Sequence, residues 1–79
     1  MSNAFEVVKN AIVAIQEQLG YQKIEVQPST NLLNDLGFAS LDIAQLVAML
    51  EKELGVDPFA NGATLDQVNT VEEMVKLYA

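Results

Sequence analysis

The run Asp35-Leu36-Gly37-Phe38-Ala39-Ser40-Leu41-Asp42 delivers one hydroxyl, that of Ser40, from a loop to the start of an amphipathic pattern, with acid nearby on both sides. A serine acts as a nucleophile when an adjacent base takes its proton, as in Ser-His and Ser-His-Asp arrangements. This chain has no His and no Cys, so it holds no such activator. The chemistry left to Ser40 is that of a handle: an exposed, rigidly based hydroxyl modified by another protein. The carboxylates offer a second chemistry, acid–base catalysis. No pair of them is placed convincingly in a cleft, and a helical domain of this size has little room for one. The missing His and Cys also argue against zinc, haem and iron–sulfur centres. Oxygen-only Mg²⁺ or Ca²⁺ sites stay open, but the acids show no EF-hand spacing.

The elements that must position Ser40 follow from periodicity. Phe5, Val8, Ile12, Ile15 and Leu19 recur at helical spacing. Asn3 and Glu6 fit an N-terminal cap, and Gly20 ends the helix. Residues 21–39 contain Pro28, Ser29, Thr30, Asn31, Asn34 and Gly37, which predicts a loop. A connection that long is often functional. Ile24, Val26, Leu32, Leu33 and Leu36 are expected to peg it to the core. The alternative, a strand at Lys23 to Val26, has no evident partner.

Residues 41–54 predict a second helix with Ile43, Leu46, Val47, Leu50 and Leu54 as its buried stripe. Ser40 is the expected N-cap, and Asp42 complements the helix dipole. Gly55 closes the helix and Pro58 lies beyond. After a loop through Asn61-Gly62, Thr64 and Gln67 fit the cap of a short helical turn. Thr70 and Glu73 fit another, opening a last helix with Val71, Met74, Val75 and Tyr78 inward. The fold predicted is all-α: a small four-helix bundle with a long loop between helices 1 and 2 and a short helix 3, one domain over residues 1–79. Ser2-Asn3-Ala4 reads as a vector-derived remnant and carries no functional weight.

Seventy-nine residues make one small domain of modest stability, without disulfides to help it. Eleven acids against four Lys and no Arg give a net charge of −7. That sign repels phosphate backbones and anionic membrane surfaces and favours basic partners; equally, it serves solubility. No apolar stretch is long enough to span a membrane and no signal peptide is evident, so cytoplasm is the expected location.

Asp35-Leu36-Gly37, two residues, then Ser40-Leu41-Asp42 resembles the phosphopantetheine attachment motif of acyl carrier proteins and peptidyl carrier domains. The likeness covers nearly the whole chain: first helix, long loop, second helix at the serine, short third helix, last helix. It implies 4′-phosphopantetheine on Ser40, with Asp35, Gly37, Leu41 and Asp42 as the supporting motif. A phosphopantetheinyl transferase would use Mg²⁺ to move the arm from coenzyme A. The arm's thiol then carries an acyl or aminoacyl group, which answers the lack of cysteine. The protein itself is expected to be a non-catalytic, monomeric, freestanding carrier in a specialised pathway. Its implied partners are the transferase, a loading enzyme and a downstream acyltransferase or synthase.

Each motif residue also has a plainer reading. Ser40 serves as a cap, Gly37 closes a turn, and Asp35 and Asp42 favour a helix N-terminus. Leu41 is either an apolar anchor for partners or core, and Phe38 is either a partner contact or folded onto the bundle. The expected docking surface comprises Phe38, Leu41, Asp42, Gln45, Ala48, Glu51 and Lys52, with Gln45 and Lys52 diluting the acidic code of fatty-acid-type carriers. A gap between helices 2 and 3, lined by Leu46, Val47 and Leu65, is the expected shelter for cargo.

One departure stands out. The family usually carries Asp immediately before the serine, assisting metal-dependent transfer, and here the position is Ala39. Asp35 and Asp42 are the acids left to compensate. The departure also motivates a rival: a carrier-like fold that has lost its modification and acts as an adaptor or regulatory subunit.

Overall fold

The computed structural model describes residues 4–21, 24–62 and 68–78. Among them are three α-helices, α1 (Ala4–Leu19), α2 (Ser40–Leu54) and α3 (Val71–Tyr78), and a 3-10 turn at Pro58–Asn61. The described residues form no strand, only an isolated antiparallel bridge between Asn31 and Thr70. None of their helices is long and apolar enough to cross a membrane. The architecture is the all-α bundle expected. The short helical turn expected at Thr64 to Gln67, the cap at Asn3 and the start of the alternative strand at Lys23 lie outside the described residues.

The core is built from the predicted stripes. Val8, Ile12 and Ile15 of α1, Leu46 and Leu50 of α2, and Val71 and Met74 of α3 are fully buried. Burial of side chains of this size contributes about 1.5–3 kcal/mol each and is the main force holding the helices together. Phe5, Val47, Leu54 and Val75 are half-buried against this core. Leu19, the last residue of α1, is exposed instead.

The end of α1 fixes the direction of the next side chain. Gly20 takes φ +71°, Tyr21 N–H donates to the Gln16 carbonyl at 2.9 Å, and Gly20 N–H reaches the Glu17 carbonyl at 3.4 Å. This is a Schellman closure, in which the left-handed glycine turns the chain and the following residue is swung back over the helix. That following residue is Tyr21.

The long loop is held by backbone bonds as much as by pegs. Leu32 N–H donates to the Asn69 carbonyl, while Val71 and Glu72 N–H groups donate to the carbonyls of Thr30 and Pro28. Two of the orphan first-turn donors of α3 are thereby satisfied by the loop. Thr70 and Glu73 complete the predicted capping box, Thr70 N–H to Glu73 Oε1 at 3.0 Å and Glu73 N–H to Thr70 Oγ1 at 3.2 Å. Val26, Leu32 and Leu36 are buried as expected. Ile24 and Leu33 are not: both are exposed, since the loop turns their side chains to solvent. Residues 24–27 form no regular element, which removes the strand alternative over that stretch.

Candidate functional site

The N-terminus of α2 is built differently from expectation. Ser40 is not the cap. Ala39 is the N-cap, with φ −86° and ψ 170°, and Ser40 is the first helical residue. Alanine has no oxygen to cap with, so Asp42 supplies the reciprocal half of a capping box alone: its Oδ2 accepts the Ala39 N–H at 2.9 Å. Tyr21 Oη donates to the same oxygen at 2.9 Å. Asp42 is 7% exposed. A carboxylate that accepts two hydrogen bonds in this position is a structural anchor, and it is off the docking surface on which the sequence placed it.

The consequence for Ser40 is direct. Released from capping, its hydroxyl is exposed and makes no hydrogen bond among the described residues. Leu41, next to it, is 80% exposed, which decides between anchor and core in favour of a surface residue. Phe38 goes the other way. It is 2% exposed, inside the core cluster, its N–H bonded to the Leu32 carbonyl at 3.0 Å. Its ring lies against that of Tyr21, centroids 6.0 Å apart and tilted by 48°. An aromatic residue so buried does not dock partners, contrary to its expected place on the docking surface.

Asp35 is exposed but engaged: its Oδ2 accepts the Asn31 N–H at 2.7 Å, while Asn31 Oδ1 accepts the N–H groups of Leu33 and Asn34 at 3.0 and 2.8 Å. This interlocked turn holds the segment that leads to Gly37, whose φ of +71° suits glycine. A shallow groove of about 340 Å³, lined by Tyr21, Ile24, Asn34, Asp35, Leu36 and Gly37, runs beside it.

Farther along α2 the expected docking residues separate. Ala48 and Lys52 are exposed, while Gln45 is half-buried and its Nε2 donates to Gln18 Oε1 at 3.0 Å, tying α2 to α1. Glu51 is half-buried. Desolvation, then the charge of Asp57 and a hydrogen bond with it, raises its carboxyl above the ordinary carboxylate value. Of the residues expected to line a cargo shelter, Leu46 is fully buried and Val47 half-buried; Leu65 lies outside the described residues. The sequence reading missed Tyr21. The signal was present in its position directly after Gly20, where a Schellman closure throws the side chain back.

Known proteins place the chain. The family model described as the phosphopantetheine attachment site matches residues 12–78. An acyl carrier protein of Thermotoga maritima is 33% identical over 75 residues, covering 95% of this chain and 90% of that one. An acyl carrier protein of Solidesulfovibrio magneticus is 42% identical over 52 residues, 66% of this chain and 63% of that one. Among solved structures, MacpD, an acyl carrier protein from Pseudomonas fluorescens involved in mupirocin biosynthesis, superposes with a TM-score of 0.83 at 31% identity, over 94% of this chain and 66% of that one. Matched by that model over most of its length, and sharing fold and sequence with these relatives, the chain belongs to the acyl carrier protein family, whose phosphopantetheine-binding domain carries a covalent 4′-phosphopantetheine group.

Proposed function

We propose that this protein is a freestanding, monomeric cytoplasmic carrier that takes its arm on Ser40 and shuttles acyl or aminoacyl thioesters between enzymes of a specialised biosynthetic pathway. The observation that carries the reading is the Ser40 hydroxyl: exposed, unengaged among the described residues, and at the first position of a 15-residue helix. The residues fit the group. No side chain caps the first-turn amides, so no cap competes with an anion there. A phosphodiester on Ser40 sits at the positive end of the helix dipole, a placement worth about 0.3–1 kcal/mol. The arm, when bound, supplies a thiol that holds cargo as a thioester.

The chain's own residues present and identify. Asp42 and the closure at Gly20 hold the base of Ser40 still. Leu41 offers an apolar anchor beside it, and Ala44 and Ala48 keep the neighbouring face of α2 low in charge, with Lys52 and Glu53 farther along. A face of that kind favours partners chosen by fit over partners steered by charge. This supports a specialised pathway over a housekeeping one, as does the likeness to a carrier of mupirocin biosynthesis. The partners in this reading are a phosphopantetheinyl transferase, an acyl- or aminoacyl-loading enzyme, and a downstream acyltransferase or synthase.

A second reading, an unmodified adaptor, draws on Ala39, which puts no acid immediately before Ser40, and on Asp42, whose Oδ2 is engaged by Tyr21 and the Ala39 N–H. Intact mass after incubation with coenzyme A, Mg²⁺ and a broad-specificity phosphopantetheinyl transferase separates the two, with Ser40→Ala alongside. One added phosphopantetheinyl group in the wild type alone supports the carrier. Gain only in Ala39→Asp points to a dedicated transferase or an adaptor. No gain in either removes Ser40 from the centre of the function.

A further inference from the structure

Two helix ends meet beside Ser40, and one side chain joins them. Tyr21 is the residue that the Schellman closure of α1 swings back, its N–H fixed on the Gln16 carbonyl at 2.9 Å. Its ring is set against buried Phe38. Its hydroxyl reaches 21 residues along the chain to Asp42 Oδ2, the same oxygen that holds the Ala39 N–H. Ala39 is the residue before Ser40, and its methyl side chain makes no hydrogen bond to hold it. The backbone at the serine is therefore held through Asp42, and Asp42 is oriented by Tyr21. The hydrogen bond to Asp42, then desolvation and the negative charge of Asp42, raise the phenol of Tyr21 above its ordinary value.

We propose that Tyr21 is a positioning residue for modification of Ser40: it sets the fraction of molecules in which the start of α2 is formed and the hydroxyl presented. The inference rests on the carrier reading and deepens it. Tyr21 does not touch the hydroxyl; it acts through Asp42 and the Ala39 amide. A helix start that frays presents its first residue only part of the time. A partner that binds the formed state then shows an apparent affinity reduced by that fraction, while turnover of the bound complex is unchanged. The segment is open to fraying for a local reason: with alanine at the N-cap, the side-chain bond that usually closes the first turn is missing.

The test measures arm transfer from coenzyme A with Mg²⁺ and a phosphopantetheinyl transferase, varying the carrier concentration, for the wild type, Tyr21→Phe, and Tyr21→Phe combined with Ala39→Asn. The phenylalanine keeps the ring against Phe38 and deletes only the hydroxyl. The expected result is a KM for the carrier raised roughly tenfold or more with kcat retained, the scale of one lost hydrogen bond to a charged acceptor. Exchange of the Ala39 amide, followed by NMR, accelerates in the same variant. Asn at residue 39 supplies a side-chain cap of its own and returns KM toward the wild-type value. A role in global stability alone leaves KM unmoved at temperatures where all three proteins are folded. Unchanged KM and unchanged Ala39 exchange in Tyr21→Phe overturn the inference while the carrier reading stands. A wild type that takes no arm under any condition sinks the carrier reading, and this inference with it.

Discussion

Phe38 and Leu41 lie three residues apart, flank the same serine and have opposite surroundings, so truncating each predicts opposite outcomes. Phe38 is 2% exposed and Leu41 is 80% exposed. Buried Phe→Ala changes cost about 3–5 kcal/mol, the sum of lost transfer energy and the cavity left behind. We place Phe38→Ala near the lower end, about 3 kcal/mol, because one wall of its site is half-buried Tyr21, which is able to close part of the gap. For a domain of this length each kcal/mol moves the melting temperature by about 4–8 °C, so the loss is about 12–24 °C. Leu41→Ala deletes side-chain atoms that already face water, and its cost stays within about 0.5 kcal/mol. The functional effects reverse. An exposed apolar side chain beside Ser40 is a natural anchor in the proposed carrier, and its truncation is expected to weaken docking of a phosphopantetheinyl transferase roughly tenfold. Phe38→Ala leaves that anchor in place, so below its melting point it loses less in docking than in stability. Thermal unfolding followed by circular dichroism, with carrier KM measured at about 15 °C, well below the expected melting range, checks both halves. Similar melting losses for the two variants, or a Phe38→Ala shift below about 4 °C, refute the burial argument.

Three further outcomes rest on the same structure. Glu51 has its proton held more tightly in the folded state than in the unfolded chain, by desolvation first and then by Asp57, so its contribution to stability is present at acid pH and is lost as pH rises through the elevated value. Glu51→Gln should therefore raise the melting temperature at pH 7 and lose that advantage at pH 4; a lower melting temperature at pH 7 contradicts the assignment. Glu73 is the opposite case: backbone N–H groups of Asn69 and Thr70 hold its carboxyl below the ordinary value, so Glu73→Ala should destabilise at pH 7 and progressively less as pH falls through that lowered value, read from melts across the acid range. Tyr78, whose phenol is pushed up to about 12 by burial and then by the charges of Glu51 and Asp57, has a buried hydroxyl without a partner among the described residues. Tyr78→Phe removes a desolvated polar group at little cost in packing, and denaturant unfolding should show equal or higher stability.

Much of this protein is written in local sequence. Apolar spacing located α1, α2 and α3. Gly20 and Gly55 marked where the first two helices stop, and Thr70 with Glu73 marked where the third begins, because periodicity and capping are properties of a few neighbouring residues. The spacing from Asp35 to Asp42 pointed to the family and to Ser40 for the same reason. What the sequence left open was which way the loop and helix-end residues face. Leu33 and Ile24 have the composition of pegs and lie exposed; Phe38 was as fit for a surface as for the interior and is buried. Asp42 looked like a surface charge at a helix start, and the capping of that start looked like a task for Ser40. Both assignments changed because Tyr21, 21 residues away, brings a hydroxyl to Asp42, and Ala39 leaves its own amide for Asp42 to hold. Local pattern determines where a helix begins; only the packing of distant segments decides which carboxylate finds a donor, which ring finds the core, and so which hydroxyl is left free.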